Sequence, residues 1–217
     1  MDFKISSQKI NWLDPARLSP LNKNNIDGIS LHHMDNATAD FDDINSGHQN
    51  RKPPFIGIGY NWWISFKGEI IQGRGFNQGA GIAGHNDHLL HIGFQGDYEH
   101  VNKTMPDAQF NAGVWLIDWL KKQLPKARIV HGHRHWAATA CPGKNFPLAE
   151  MLAGKYRQAI VAPMPKPKDE VAEAVKILQQ QGIMNSPDYW LDNAKKGKKC
   201  EGEYVGLLII RLAEKLK

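Results

Sequence analysis

Cysteine is scarce in this 217-residue chain, which holds only Cys141 and Cys200. Two thiols allow one disulfide at most, so a disulfide-stapled scaffold is excluded, and an expected cytosolic origin argues against even that bond. Cys200, in K-K-G-K-K-C-E-G-E, reads as an exposed free thiol. No apolar run approaches the length that crosses a bilayer, so membrane insertion is not expected. The first residues, MDFKISSQKINWLDPARL, lack the apolar core and small-residue cleavage site of a signal peptide. The expectation is synthesis in the cytoplasm, with any later action outside it requiring another exit route. No internal repeat is present. Eight glycines fall between Gly57 and Gly84, but no strand, glycine loop and helix fingerprint accompanies them. They read as tight turns and close backbone approaches, not as a phosphate cradle.

What is present describes an ordinary globular chain: 41% hydrophobic and 23% charged residues, enough for one domain and a small appendage. The net charge of +5 and pI near 9.1 favour an anionic partner. The basic residues are scattered and no reader motif occurs, so nucleic acid is not expected.

Taken in order, residues 1–25 are polar, broken by Pro15 and Pro20, and read as a lead-in with little regular structure. Residues 26–33 read as a strand, with Ile29, Leu31 and His33 alternating with Ser30 and His32. A short helix follows within residues 36–47, with Asn36 or Thr38 as its cap. Lys67-Gly68 marks a turn between strands over 60–66 and 69–72. Residues 88–95 form a strand and 106–124 a helix. That helix is apolar around most of its circumference and is therefore expected to be largely buried. A strand over 126–131 and a helix over 147–158 complete an α/β domain. Its mixed central sheet is flanked by helices. Residues 161–168, rich in proline and lysine, read as a linker between residues 1–160 and an all-α module over 169–217. Within the module, Gly182 stops a first helix, Ser186-Pro187 opens a second, and residues 203–217 give a third.

The chemistry concentrates in V-H-G-H-R-H-W-A-A-T-A-C-P-G, residues 130–143. His131, His133 and His135 precede Cys141, and imidazole and thiolate are the ligands zinc prefers. A catalytic zinc site takes three protein ligands and keeps an open position. The stretch offers two, and His32, at a strand end, is a candidate third. Spacing alone does not choose between His131 and His133.

G-H-R-H-W-A-A-T-A-C-P-G, with L-H-H-M-D-N upstream and G-I-G-Y-N-W-W-I-S-F-K-G-E-I-I-Q-G-R-G between, resembles the zinc-dependent N-acetylmuramoyl-L-alanine amidases. That group includes the bacteriophage-lysozyme type and the peptidoglycan recognition proteins. The likeness runs from about Ile26 to Tyr156. It implies a single zinc held by His32, His133 and Cys141. It also implies cleavage of the amide joining muramic acid to the stem peptide of peptidoglycan. Tyr60 would position water or shuttle a proton, and Thr139 would donate to the oxyanion. His33, Asn61, Trp62, His85 and Asn86 are candidate substrate contacts.

Two positions depart from the family pattern. His135 stands where aspartate is common, and Gly81 where a loop histidine is common. The C-terminal module resembles helical modules of wall hydrolases from Gram-positive bacteria and their phages. In it, Tyr189 and Trp190 are candidate sugar-stacking residues, though packing in a small core is the plainer reading. Lys195, Lys196, Lys198 and Lys199 are candidate contacts to anionic wall polymers. The expectation is a monomeric endolysin that reaches the wall after holin-type or lysis-dependent release. A non-catalytic peptidoglycan-binding module is the alternative.

Overall fold

A computed structural model describes residues 3–157 and 169–193, together with 205, 207, 208, 210 and 211. The chain divides into two compact units, Met1–Ala159 and Ile160–Lys217.

The first unit is built on a six-stranded sheet. In chain order its strands are β1 (Ile5–Ser6), β2 (Gly28–His33), β3 (Trp62–Ile64), β4 (Ile70–Gln72), β5 (Leu89–Phe94) and β6 (Ile129–Gly132). The spatial order is β1-β4-β3-β5-β2-β6. Only the β3–β4 hairpin is antiparallel. It turns at Lys67-Gly68, where Gly68 takes φ +79 and its amide reaches Ser65 O at 2.9 Å. The sheet is therefore mixed, as the hairpin signal implied.

Both faces are covered. Ile29, Leu31, Leu90, Ile92, Phe94, Trp62 and Ile64 face α2 (Asp107–Gln123) and pack with its Phe110, Val114, Ile117 and Leu120. Phe41 of α1 (Phe41–Gln49) packs with Ile58 and Trp63 on the other face. β2 and β5 are buried along their whole length because strands flank each on both sides. The face of β2 and β5 turned away from α2 carries Ser30, His32 and His91, so polarity and burial coincide there.

Three expectations are corrected. Residues 1–25 are not featureless: Ile5 and Ser6 pair in parallel with Ile70 and Ile71, and 3-10 turns form at Pro15–Arg17 and Lys23–Asn25. A two-residue edge strand is too short for periodicity to mark. The cap of α1 is Asp40, not Asn36 or Thr38. Its carboxylate accepts from the amides of Asp42 and Asp43, and Asp43 reciprocates to the Asp40 amide. Asn36 instead closes the preceding turn, accepting from Thr38 N and Ala39 N. The helix expected over 147–158 is only α3 (Leu148–Leu152). Beyond Gly154, Arg157 is drawn away by the Asn111 side chain and by Glu150.

Within the second unit, α4 (Asp169–Gln180) ends where the Ile183 amide returns to Leu178 O at 2.9 Å, and α5 (Pro187–Asn193) opens at Pro187. Tyr189 and Trp190 pack edge to face at 5.6 Å. The linker over 161–168, the lysine run over 195–199 and Cys200 lie outside the described residues, as does most of the helix expected over 203–217.

Gln109, fully buried on α2, ties the layers together. Its amide nitrogen donates to Ile64 O and Gln95 O, both at 3.0 Å, and its oxygen accepts from the Tyr98 hydroxyl. Gln109→Leu keeps the volume and strands these partners. The expected loss is about 2–4 kcal/mol, read from urea unfolding. A midpoint equal to wild type would show that these bonds contribute nothing net.

Candidate metal centre

β2 lies between β5 and β6, and Leu31 of β2 stands opposite Gly132 of β6. One step further along this register places His32 beside His133, the first residue of a 3-10 turn over His133–His135. Their ring centroids are 4.7 Å apart. His131 pairs with Ser30 instead, one pleat back from the strand end. The register thus makes the choice that spacing could not.

The chain then returns. Arg134 N donates to Cys141 O at 3.0 Å, and the Arg134 guanidinium to Gly143 O at 2.6 Å. Thr139 Oγ1 accepts from the Cys141 amide at 3.2 Å. Gly143 holds φ +100 directly against the main chain of Tyr98, where a Cβ would sit 2.4 Å from Tyr98 C. The Asn145 amide reaches Tyr98 O at 2.9 Å. The loop is therefore docked on the main chain of Tyr98, whose hydroxyl Gln109 holds.

The result is a cluster. Ligand atoms of His32, His133 and Cys141 lie within 4.8 Å of one another, with His32 buried and the others half-buried. His32 Nδ1 stands 3.7 Å from Cys141 Sγ. Nitrogen and sulfur ligands of one tetrahedral zinc are about 3.3–3.8 Å apart, from bond lengths near 2.0–2.3 Å. The donor set and this separation fit the ion. Burial raises the Cys141 thiol to about 11, so it keeps its proton at neutral pH unless a cation displaces it. Burial first, then the neighbouring imidazoles, holds His32 well below its usual value, leaving a neutral ring with a lone pair to give.

The cluster opens on a cavity of about 360 Å³ that Tyr60, Thr139, His48, Arg51 and Asp35 also line. The Tyr60 ring lies 5.2 Å from His32 and 5.4 Å from His48. Gly93 makes this possible, because a Cβ there would meet Met34 Cε at 2.7 Å and Tyr60 Cδ2 at 2.8 Å. Burial, then the Cys141 thiol, raises the Tyr60 phenol above its ordinary value, so it is a proton donor in this state.

Of the candidate substrate contacts, Asn61 and Trp62 are not in the cavity. Trp62 is 1% exposed and packs on Phe76 and Trp119 on the α2 face. Asn61 is fully buried, donating to Gly75 O and Asn77 O and accepting from His91 N. A tryptophan pair in a strand sends one ring to each face, and this one went to the core. His33 borders the cavity, but its Nδ1 is taken by the Tyr98 amide at 3.0 Å. Asn86 accepts from Gly81 N and Ile82 N, so it shapes the cavity rim from behind. His85 joins His88 at 3.1 Å, and His88 joins Asp27 at 2.8 Å, away from the cluster. His135 stacks on His131 at 4.6 Å.

Sequence reasoning missed His48. Its Nδ1 accepts from Gly59 N at 3.0 Å. Phe41, Ile44, Asn45 and His48 recur at helical spacing, which marks an inward face. The role of His91, fully buried in β5, was also missed.

The family profile described as N-acetylmuramoyl-L-alanine amidase matches residues 22–144. Peptidoglycan-recognition protein SC2 of Drosophila melanogaster is 36% identical over 92 residues, covering 41% of this chain and 49% of the relative. The chain spans about half the length of the curated relatives it matches. Among solved structures, the N-acetylmuramoyl-L-alanine amidase LysC from Clostridium intestinale superposes with a TM-score of 0.61 at 26% identity. That superposition covers 69% of this chain and 95% of LysC. The Ph2119 endolysin of a Thermus scotoductus bacteriophage gives a TM-score of 0.56 at 22% identity, over 71% of this chain and 100% of the endolysin. At that identity the likeness concerns the fold.

The buried histidines carry a pH signature. Burial, then Arg51 and Arg74, lowers His48 from 6.5 to about 4. An unfolded chain takes up this proton as pH falls through 6.5, while the folded chain resists until about 4. Stability is therefore complete above 6.5 and lost on acidification across that window. Melting temperatures of metal-free protein should fall over it. His48→Asn, which keeps an acceptor for Gly59 N, should flatten the fall; an unchanged slope would exclude His48 as its source.

Proposed function

Because this chain belongs to the N-acetylmuramoyl-L-alanine amidase family, we propose that it is a zinc-dependent peptidoglycan hydrolase. It cuts the amide between N-acetylmuramic acid and the L-alanine of the stem peptide. The observation that carries this reading is the convergence of His32, His133 and Cys141 at the floor of a cavity shared with Tyr60 and Thr139. A zinc ion held there would supply Lewis-acid polarisation of a carbonyl and an acidified water at neutral pH.

The chain's own groups do the rest. The cavity takes the scissile amide against the cluster. Tyr60, protonated, orients water or hands a proton to the departing amine. The Thr139 oxygen already accepts from the Cys141 amide, so its O–H is directed elsewhere and can meet a developing oxyanion in the cavity. The likeness to LysC, an amidase, and to LysCS, an endolysin amidase, supports an enzyme of the endolysin type, and Gram-positive walls are its proposed target. Residues 169–217 would add wall affinity.

A second reading, a binding-only recognition module, is favoured by the names of the curated relatives, which are peptidoglycan-recognition proteins. One experiment separates the two. Purified peptidoglycan should yield free L-alanine amino termini, lost with a chelator and restored by zinc. Binding without release would support the recognition module, and new reducing sugars in place of amino termini would point to a glycosidase.

Tyr60→Phe and Thr139→Val should keep zinc and lower turnover on the order of 10²-fold or more, with Thr139→Ser retaining most activity. Full activity in either of the first two variants would remove that residue from the mechanism.

A further inference from the structure

His91 is a fully buried imidazole that the proposed reaction does not use. It stands on β5 two residues before Gly93, the partner of His32 in the sheet register. Its Nδ1 lies 3.1 Å from His32 Nε2. Its other ring nitrogen, Nε2, is buried with no hydrogen-bond partner among the described residues, where the ring's one polar contact is His32. The main chain of His91 is pinned on both sides by Asn61, whose side-chain Oδ1 accepts from His91 N at 2.7 Å and whose main-chain N–H donates to His91 O at 2.9 Å. Two glycines pack against the ring: a Cβ at Gly79 would lie 2.4 Å from His91 Cδ2, and one at Gly81 would lie 2.5 Å from Nδ1. Backbone and ring are thus both held, and Nδ1 faces one atom, His32 Nε2.

That atom decides what His32 can do. A neutral imidazole carries one N–H, and its other nitrogen is the one that can bind a metal. His32 turns Nδ1 toward Cys141 Sγ and Nε2 toward His91. Coordination through Nδ1 requires the proton on His32 Nε2, and a buried N–H favours an acceptor, which His91 Nδ1 supplies at 3.1 Å at the cost of leaving the His91 N–H on its own Nε2, unpaired among the described residues. We propose that His91 is a positioning residue for the metal ligand His32. Its Nδ1 accepts the His32 Nε2–H, fixing the tautomer and ring orientation that leave His32 Nδ1 free to coordinate. Gly79 and Gly81 serve as the seat that keeps the His91 ring in place. This rests on the zinc-site reading above, and extends it one residue behind the ligands.

The test measures zinc affinity by competition with a chromophoric chelator, on wild type, His91→Phe and His91→Asn, with melting curves for each. Wild type is measured first, because a wild-type protein that binds no zinc overturns the metal site and this role together. With wild type binding, His91→Phe keeps a ring on the glycine seat but offers no acceptor, and should bind zinc about 10–100-fold more weakly. His91→Asn places an amide oxygen near the lost Nδ1 and should recover most of that loss. His91→Phe binding as tightly as wild type overturns the proposal while leaving the zinc site standing. A second readout needs no variant to fold: long-range ¹H–¹⁵N correlation on histidine-labelled, zinc-loaded wild type. Protons on His32 Nε2 and His91 Nε2 are expected; a proton on His91 Nδ1 overturns the proposal.

Discussion

The parallel pairing of β2 with β6 is the constraint on which the site depends. It brings the ends of two strands, far apart in the chain, to the same edge, and its register sets His32 next to His133. A shift of one residue would turn His133 to the α2 face, since side chains alternate along a strand. The pairing is held from the other side by β5, whose six residues match β2 without a break. β5 also supplies Gly93, the gap that admits Tyr60, and His91, behind the first ligand.

Much of this was legible in the sequence. The hairpin announced itself through Lys67-Gly68, and α2 through an apolar stripe that fills its buried side. The motifs around His32, Tyr60 and Cys141 pointed to one family, and the structure gathers those residues around one cavity. What the sequence did not disclose is instructive. A two-residue strand has no period to detect, so β1 was read as lead-in. Trp62 and Trp63 are indistinguishable by type, and only the pleat decides which packs toward α2 and which toward Phe41 of α1. The capping acid of α1 competed with two neighbours of similar propensity, and the reciprocal bond with Asp43 settled it. His91 looked like one more histidine in a rich region. Its meaning comes from a partner 59 positions away, which no local pattern carries.

The site is also unevenly built. His32 is rooted in the middle of a covered sheet, whereas Cys141 rides on a loop fixed through main-chain contacts to Tyr98 and through Arg134. Those contacts engage backbone atoms, so they constrain the path of the loop more than the identity of the residues along it. Gly143 is the exception, because its conformation and its closeness to Tyr98 both exclude a side chain.

Strand order has a further consequence, for timing. β6 is the last strand of the sheet in the chain and sits at its edge, while β2 is among the first. His32 and Cys141 are 109 residues apart. Contacts of such separation are slow to form, because the intervening chain must be ordered before they close. A nascent chain can pair β2 with β5 and β3 with β4 before β6 has been made. At that stage it has most of its sheet but neither His133 nor Cys141 in place. Closure of the His32, His133 and Cys141 cluster therefore belongs to the last step of folding, when the edge strand joins.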